Sequence, residues 1–321
     1  MTKTLFIAVG AGLASALLFV VPMQGSVMAM FMTFLAGLPL MIAGLGFGHL
    51  ASLIAGVTGA LSIGIFLDPL FSLSFAFSLA MPSYWLCRLG SLCREDEVGQ
   101  IHWYPVPKLL VWIVYSSIIT TGLVMMLLIM RAGSYSSFVS DSSARLAPAL
   151  ETVWDQARLP GTLNTEDLAR LIIMALPVVM SGWTVITLGI NLWLAGRIVQ
   201  ISQLLQRPWE DLPEALALPS NMSGLALLFL LGLLNDGPIR ILSSSALAAI
   251  LTAYALVGMG IIHAVTRSMS GRSTLLTLLY LIVIMLMPWP LILPAALGMI
   301  DSFYPLRRRK AALATTPNPE D

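Results

Sequence analysis

The chain has 321 residues, of which 58% are hydrophobic and 10% charged, with a mean hydropathy of +0.89. A soluble domain has roughly 25% charged residues, so this one cannot cover its own volume with polar surface, and a soluble enzyme, a nucleic-acid binder and a disordered chain are excluded. The 17 Lys and Arg nearly balance the 16 Asp and Glu, so a net charge of +1 gives no general pull on nucleic acid or anionic substrates.

A helix needs about 20 apolar residues to cross the hydrocarbon core. In chain order, apolar runs at 5–21, 27–46, 50–67, 70–86, 109–130, 171–195, 242–264 and 275–300 meet that need, and a shorter one lies at 222–234. The pattern predicts an all-α polytopic transmembrane bundle of about 8–10 spans. Lys3 before the first run gives it the look of a leader peptide, but the run is long and the next span follows at once, so a retained first helix is expected. Asp68-Pro69 and Asn235-Asp236-Gly237-Pro238 read as turns. Gly44-Leu45-Gly46-Phe47-Gly48 reads as a tight link, and Pro288, Pro290 and Pro294 should break or kink the last run.

Residues 1–303 are expected to form one membrane domain with polar loops at 88–108, 131–170 and 196–220. Residues 304–321 are expected to form a basic, disordered tail. Within 131–170, Phe138, Asp141 or Ser142, Leu146, Leu150, Val153 or Trp154, and Ala157 fall near helical spacing. Such a helix either lies flat on the bilayer with Trp154 at headgroup level or packs on its own protein.

Lys and Arg favour the cytoplasm. With the N-terminus inside, Lys3, Arg88, Arg94, Lys108, Arg197, Arg207, Arg267 and Arg272 are cytoplasmic, while Arg131, Arg145, Arg158, Arg170 and Arg240 are outside. The run Arg307-Arg308-Arg309-Lys310 decides the parity. An even number of crossings puts it inside and satisfies the rule.

Small residues four apart mark close helix packing: Ala8, Gly12 and Ala16, then Gly44 and Gly48, then Ala60 and Gly64. The contact is expected within this chain, with a membrane protein partner on the first helix as the alternative. Polar residues inside spans are costly, which makes His49, Asn191, Asn235, Asp236, Arg240, His263 and Asp301 the candidate site residues. Asp236 with Arg240, and Asp301 with Arg307, also read as ion pairs or solvated caps at the membrane boundary. Structural hydrogen bonds are the simpler role for the histidines.

Motifs of enzymes are missing: no Walker A sequence, no H-E-x-x-H, no C-x-x-C, and no paired intramembrane carboxylates. Cys87 and Cys93 have no metal-ligand spacing. Neither a catalytic residue, a metal nor a cofactor is expected. The expected partners are the lipid bilayer and, for a transport-related protein, a small-molecule ligand; nucleic acid is not among them.

Two resemblances rest on these residues. The stretch Asn191-Leu192-Trp193-Leu194-Ala195-Gly196-Arg197, Leu218-Pro219, Asn235, Gly258-Met259-Gly260-Ile261-Ile262-His263 and Gly298-Met299-Ile300-Asp301 resembles the YybS-like family of predicted bacterial membrane proteins. The N-terminal part, 4–89, is similar to the S-components of energy-coupling-factor vitamin transporters through Ala8, Gly12, Ala16 and the 44–48 turn. The second resemblance implies an S-component-like core that binds a small solute, with Ala8, Gly12 and Ala16 facing a coupling subunit. Together they imply a multi-pass protein of the bacterial cytoplasmic membrane, transport-related or, alternatively, a scaffold or envelope-assembly factor. The chain departs from S-components by about three extra spans and by the 131–170 segment.

Overall fold

The computed structural model describes residues 2–21, 27–156, 164–286 and 289–304. It is an all-α bundle, and six of its helices are long and apolar enough to cross a membrane. In chain order the helices are α1 (Thr2–Val20), α2 (Val27–Phe34), α3 (Leu38–Phe47), α4 (His49–Phe66), α5 (Pro69–Phe75), α6 (Met81–Gly90), α7 (Val106–Ala132), α8 (Tyr135–Gln156), α9 (Thr165–Ile201), α10 (Leu212–Ala215), α11 (Asn221–Gly232), α12 (Pro238–Val265), α13 (Arg272–Leu286) and α14 (Ile292–Phe303). A π-helical turn, Ala76–Ala80, joins α5 to α6. Among the described residues the only strands are β1 (Cys93–Glu95) and β2 (Ile101–Trp103), an antiparallel hairpin.

The structure refines the expected spans and loops. The run 27–46 is two helices, interrupted at 35–37. The run 275–300 is also two helices, with a 3-10 turn at Trp289–Leu291 between them, in line with the break expected from its prolines. The polar stretch 88–108 holds the β-hairpin, and the 196–220 loop begins only after α9 ends at Ile201. Residues 131–170 hold α8, which buries Phe138 and Val139 against Met125 of α7 and Ile173 of α9, so it packs on its own protein. Ala157, Arg158 and the 307–310 run lie outside the described residues.

Side-chain pairings give the direction of each helix. Gly12 of α1 meets Ala55 and Thr58 of α4, and Ala8 clusters with Ala51, so α1 and α4 run parallel. Ser15 reaches Ala36 while Thr33 reaches Leu18, so the 27–47 segment returns antiparallel beside α1. Gly59 meets Phe75 and Gly56 meets Ala80, which makes the α5–α6 rod antiparallel to α4. Gly182 lies by Thr252 and Gly189 by Leu256, so α9 and α12 are parallel. The short α11 and its flanks must therefore carry the chain back across between them. Residue 265 then lies at the same end of the bundle as Thr2, here the near end. The loops after α7 and α11 lie at the far end.

Small residues fix the closest crossings because lipid supplies no hydrophobic drive between helices. The Ala8, Gly12 and Ala16 face is buried against α4 within this chain, as the simpler of the two expectations had it. Gly44 belongs to this class too: a Cβ there would lie 2.6 Å from the Cys87 Sγ and 2.8 Å from the Ser52 Cβ. Gly48 does not. It has open space around it and a φ of 96°, so it turns the chain between α3 and α4 rather than packing. At the other side, Gly258 seats on the Pro294 carbonyl and Gly298 on the Tyr254 carbonyl. That pairing makes α14 antiparallel to α12.

The near end is built from polar loops. Asp96 closes the hairpin: its Oδ1 accepts from the N–H groups of Val98 (3.0 Å) and Gln100 (2.9 Å), and its Oδ2 meets His102 Nε2 at 2.8 Å. The His102 contact, then the Gln100 N–H, hold this carboxyl below the usual carboxylate range. A lowered pKa means the folded turn is favoured above the ordinary value near 3.9 and loses that preference as pH falls through the lowered one. In an acid titration followed by NMR, the Val98 and Gln100 amide signals should shift together below about pH 4. Asp96→Asn should abolish the transition; an unchanged titration would show that Asp96 does not close the turn.

Candidate functional site

The interruption at 35–37 has a local cause. Pro39 has no N–H, and its ring crowds the Leu35 carbonyl four residues back, so an apolar run cannot continue as one helix. The break frees backbone carbonyls inside the bundle, where each unpaired one is costly. Leu38 N–H donates to Leu35 O at 3.0 Å. Side chains from two other helices complete the set: Ser15 Oγ of α1 donates to Ala36 O at 2.5 Å, and Asn191 Nδ2 of α9 donates to Phe34 O at 2.7 Å. Asn191 Nδ2 also donates to Thr187 O at 2.7 Å. Asn191 is fully buried, yet among the described residues its Oδ1 accepts no hydrogen bond, nor does the Thr187 hydroxyl have a partner. Phe34 stands edge-on to Trp183 at 5.3 Å, about two turns before Asn191 on α9.

The π turn has the same origin. The Met81 N–H reaches back five residues to Ala76 O, and Pro82 next to it has no N–H to offer Phe77 O. Thr120 Oγ1 of α7 donates to that orphaned carbonyl at 2.8 Å. Leu79 of the turn approaches Gly37, so the π turn lies directly against the helix break. Nearby, Ser117 of α7 donates to Ser181 O of α9 at 2.7 Å.

These contacts lie along one stripe of α9. Residues Asp167, Arg170, Met174, Pro177, Ser181, Thr184, Leu188 and Asn191 recur at three and four residues, which is one helix face. At the far end that face walls a cleft of about 770 Å³ against α8, lined by Tyr135, Ser137, Ser140, Ser143, Glu151 and Arg170 among others. Its size is within the usual range for a small-molecule site. Asn164 caps α9 and donates from Nδ2 to Asp167 at 2.8 Å, while Thr165 donates to Glu151 at 3.0 Å and ties the start of α9 to α8. The wall is thus held in place by the helix ends, while on α8 the Ser140 and Ser143 hydroxyls donate to the carbonyls of Ser137 (3.1 Å) and Ser140 (3.0 Å).

The remaining expected site residues do not gather here. His49 begins α4 at the near end with its ring 6.1 Å from Tyr84. His263 Nε2 shares a 2.7 Å hydrogen bond with the Tyr280 hydroxyl, which sets α13 across the near end of α12. Asp301 is buried on α14 one turn beyond the Gly298–Tyr254 crossing, and is therefore not a solvated boundary cap. Ser223, Tyr254 and Ser302 form a hydroxyl cluster on neighbouring turns of α11, α12 and α14. Asn235, Asp236 and Arg240 sit on the exposed far-end turn. The expected Asp236–Arg240 pair is present at 3.8 Å, but its side chains are 101% and 64% exposed, so neither charge is stranded when the other is removed. A double-mutant cycle of Asp236→Asn and Arg240→Gln should show no measurable coupling in thermal stability. Clear coupling would place the pair against lipid.

Sequence reasoning named Asn191 but missed its partners. The signals were Pro39 and Pro82 within apolar runs and the Ser181, Thr184, Thr187 and Asn191 spacing. Cys87 is buried, with its thiol on the Met41 carbonyl, and Cys93 is exposed; both are free. Among the described residues no three His, Cys, Asp or Glu side chains converge on a point that could hold a metal. No protein-family model, characterised protein or solved structure matches the chain.

Proposed function

We propose that this multi-pass membrane protein is a solute-binding module of transport type, with the α8–α9 cleft as its entrance and the Asn191 region as the inner limit of its path. The observation that carries the reading is the single polar face of α9. It runs from a serine-lined cleft at one end to a broken helix and a π turn in the interior of the bundle. Broken helices in membrane proteins place backbone polar groups where a solute can meet them, and π turns recur at functional positions. The near end carries Lys3, Arg88, Arg94, Lys108, Arg197, Arg207 and Arg267, which supports a cytoplasmic near end and an outward-facing cleft.

The S-component-like part of the reading is narrowed by α1. Its Ala8, Gly12 and Ala16 face is occupied by α4, so a coupling subunit would have to meet the protein elsewhere. The same burial takes away the face on which a scaffold reading rested. The test is native mass spectrometry of the protein purified in mild detergent. A non-lipid small molecule should accompany the wild type and be lost from Ser140→Leu and from Arg170→Gln, both exposed positions, at unchanged melting temperature. If nothing but lipid accompanies the wild type, or if both cleft variants keep the molecule, the cleft is not its site.

A further inference from the structure

A second concavity lies on the opposite side of the helix break. It is an apolar groove of about 570 Å³ between α1 and the α2–α3 segment, lined on one wall by Ile7, Gly10, Ala14 and Leu18 and on the other by Leu35, Leu38 and Pro39 among others. Ile7, Gly10, Ala14 and Leu35 are exposed, so the groove opens outward from the bundle. Both walls belong to membrane-crossing segments, and the groove has no polar group that could hold water. Its length follows from α1: the eleven steps from Ile7 to Leu18 rise about 16 Å, half of the roughly 30 Å hydrocarbon core. Measured from Lys3, the groove starts about 6 Å down the helix and ends about 22 Å down it, so it opens in the near-end leaflet and reaches past the midplane. Lys3 stands one turn before Ile7 on the same helix face, at headgroup level, exposed and without an ion pair among the described residues.

We infer that this groove binds one anionic phospholipid of the near-end leaflet, with an acyl chain along Gly10 and Ala14 and the phosphate on the Lys3 ammonium. The occupant follows from the combination of features. The walls accept only hydrocarbon, the groove opens in the near-end leaflet, and the one charged residue of α1, a turn before the groove on the same face, is positive. Gly10 is the key position, because a Cβ there meets nothing within 4 Å, whereas Gly12 on the adjacent face is pressed against Ala55. A side chain at position 10 can therefore fill the groove without disturbing the bundle. The reading is independent of the α8–α9 cleft and survives if that cleft binds nothing.

The experiment uses the full chain reconstituted in vesicles of phosphatidylglycerol or of phosphatidylcholine, extracted in mild detergent and weighed by native mass spectrometry. The wild type should retain one phosphatidylglycerol, about tenfold more often than phosphatidylcholine. Gly10→Phe should lose the retained lipid of either kind while melting at the wild-type temperature. Lys3→Gln, which leaves the groove intact, should retain both lipids equally. Retention by Gly10→Phe of as much lipid as the wild type would place the lipid elsewhere and overturn the proposal. So would an unchanged phosphatidylglycerol preference in Lys3→Gln, or a wild type that retains no lipid. Loss from Gly10→Phe of a bound protein rather than a lipid would show that the groove seats a helix and overturn it as well.

Discussion

Replacing Gly12 by leucine is expected to destabilise the protein by about 3 kcal/mol or more, near the upper end for overpacking, because what it meets is backbone. A Cβ at this position would overlap the Ala55 carbonyl of α4 and touch Thr58, and a helix backbone cannot move aside as a flexible side chain can. From the other helix, a Cβ on Gly59 would lie 2.9 Å from the Gly12 carbonyl, so the two backbones are in mutual contact. Forcing them apart also separates the Ala8–Ala51 contact one turn away and loosens Ser15 from the Ala36 carbonyl. The measurement is thermal unfolding in detergent, with Gly10→Leu as the control that adds the same volume to the open side of α1. A large fall for Gly12→Leu with little change for Gly10→Leu is the expected result. Equal melting of the two would mean that the Gly12 face does not pack against α4.

Arg207→Met should be the most damaging change outside the spans. Arg207 is only 7% exposed, and its Nη1 donates to the carbonyls of Gly90 (3.4 Å) and Tyr104 (3.3 Å) while Nη2 pairs with Glu210 at 2.6 Å. One guanidinium thus ties the end of α6, the strand exit before α7 and the loop after α9. Arg is suited to this because its planar fork offers several donors in fixed directions. Next to it, the Trp209 ring lies on Gly196, where any Cβ would collide with it. Methionine keeps most of the apolar stem but leaves two carbonyls without their donor. Hydrogen bonds to charged groups are worth about 1.5–3 kcal/mol, and the half-exposed Glu210 can turn to solvent, so a loss of about 2–3 kcal/mol is expected. Hydrogen exchange should rise in 91–104 and in 203–216 and stay unchanged in α4. If exchange rises nowhere, the clamp does not hold the near end together.

Hydropathy alone located all six described helices that are long and apolar enough to cross a membrane, to within a few residues at most ends. A chain with this many uninterrupted apolar runs has no other way to satisfy its backbone in lipid. The same cost argument picked out Asn191 as a residue that needs a reason. What it needs, the Phe34 carbonyl, lies 157 residues away in sequence, and no local pattern could supply it. The interruptions at 35–37 and 76–80 show the intermediate case. Pro39 and Pro82 state that a hydrogen bond is lost, but hydropathy averages over a span and hides it. Whether the chain answers with a turn, as at 35–37, or with a wider helical turn, as at 76–80, depends on which neighbour offers a donor. Ser15 and Asn191 do so in one place and Thr120 in the other.

The sequence by itself determined the solvent of this protein, the number of apolar segments within one or two, and the small-residue faces on which helices could meet. Those are properties of composition and spacing along one helix. The tertiary structure decided that Gly12 meets α4 rather than another protein, that Gly48 turns the chain instead of packing it, and that α9 and α12 run parallel, with the short α11 as the return between them. It also decided that the polar face of α9 opens into a cleft, and that Asp236 and Arg240 stand in the open. Each of these depends on which helix lies opposite. Apolar faces are interchangeable partners in lipid, so the choice among them is made only where carbonyls, hydroxyls and missing side chains fit across the interface.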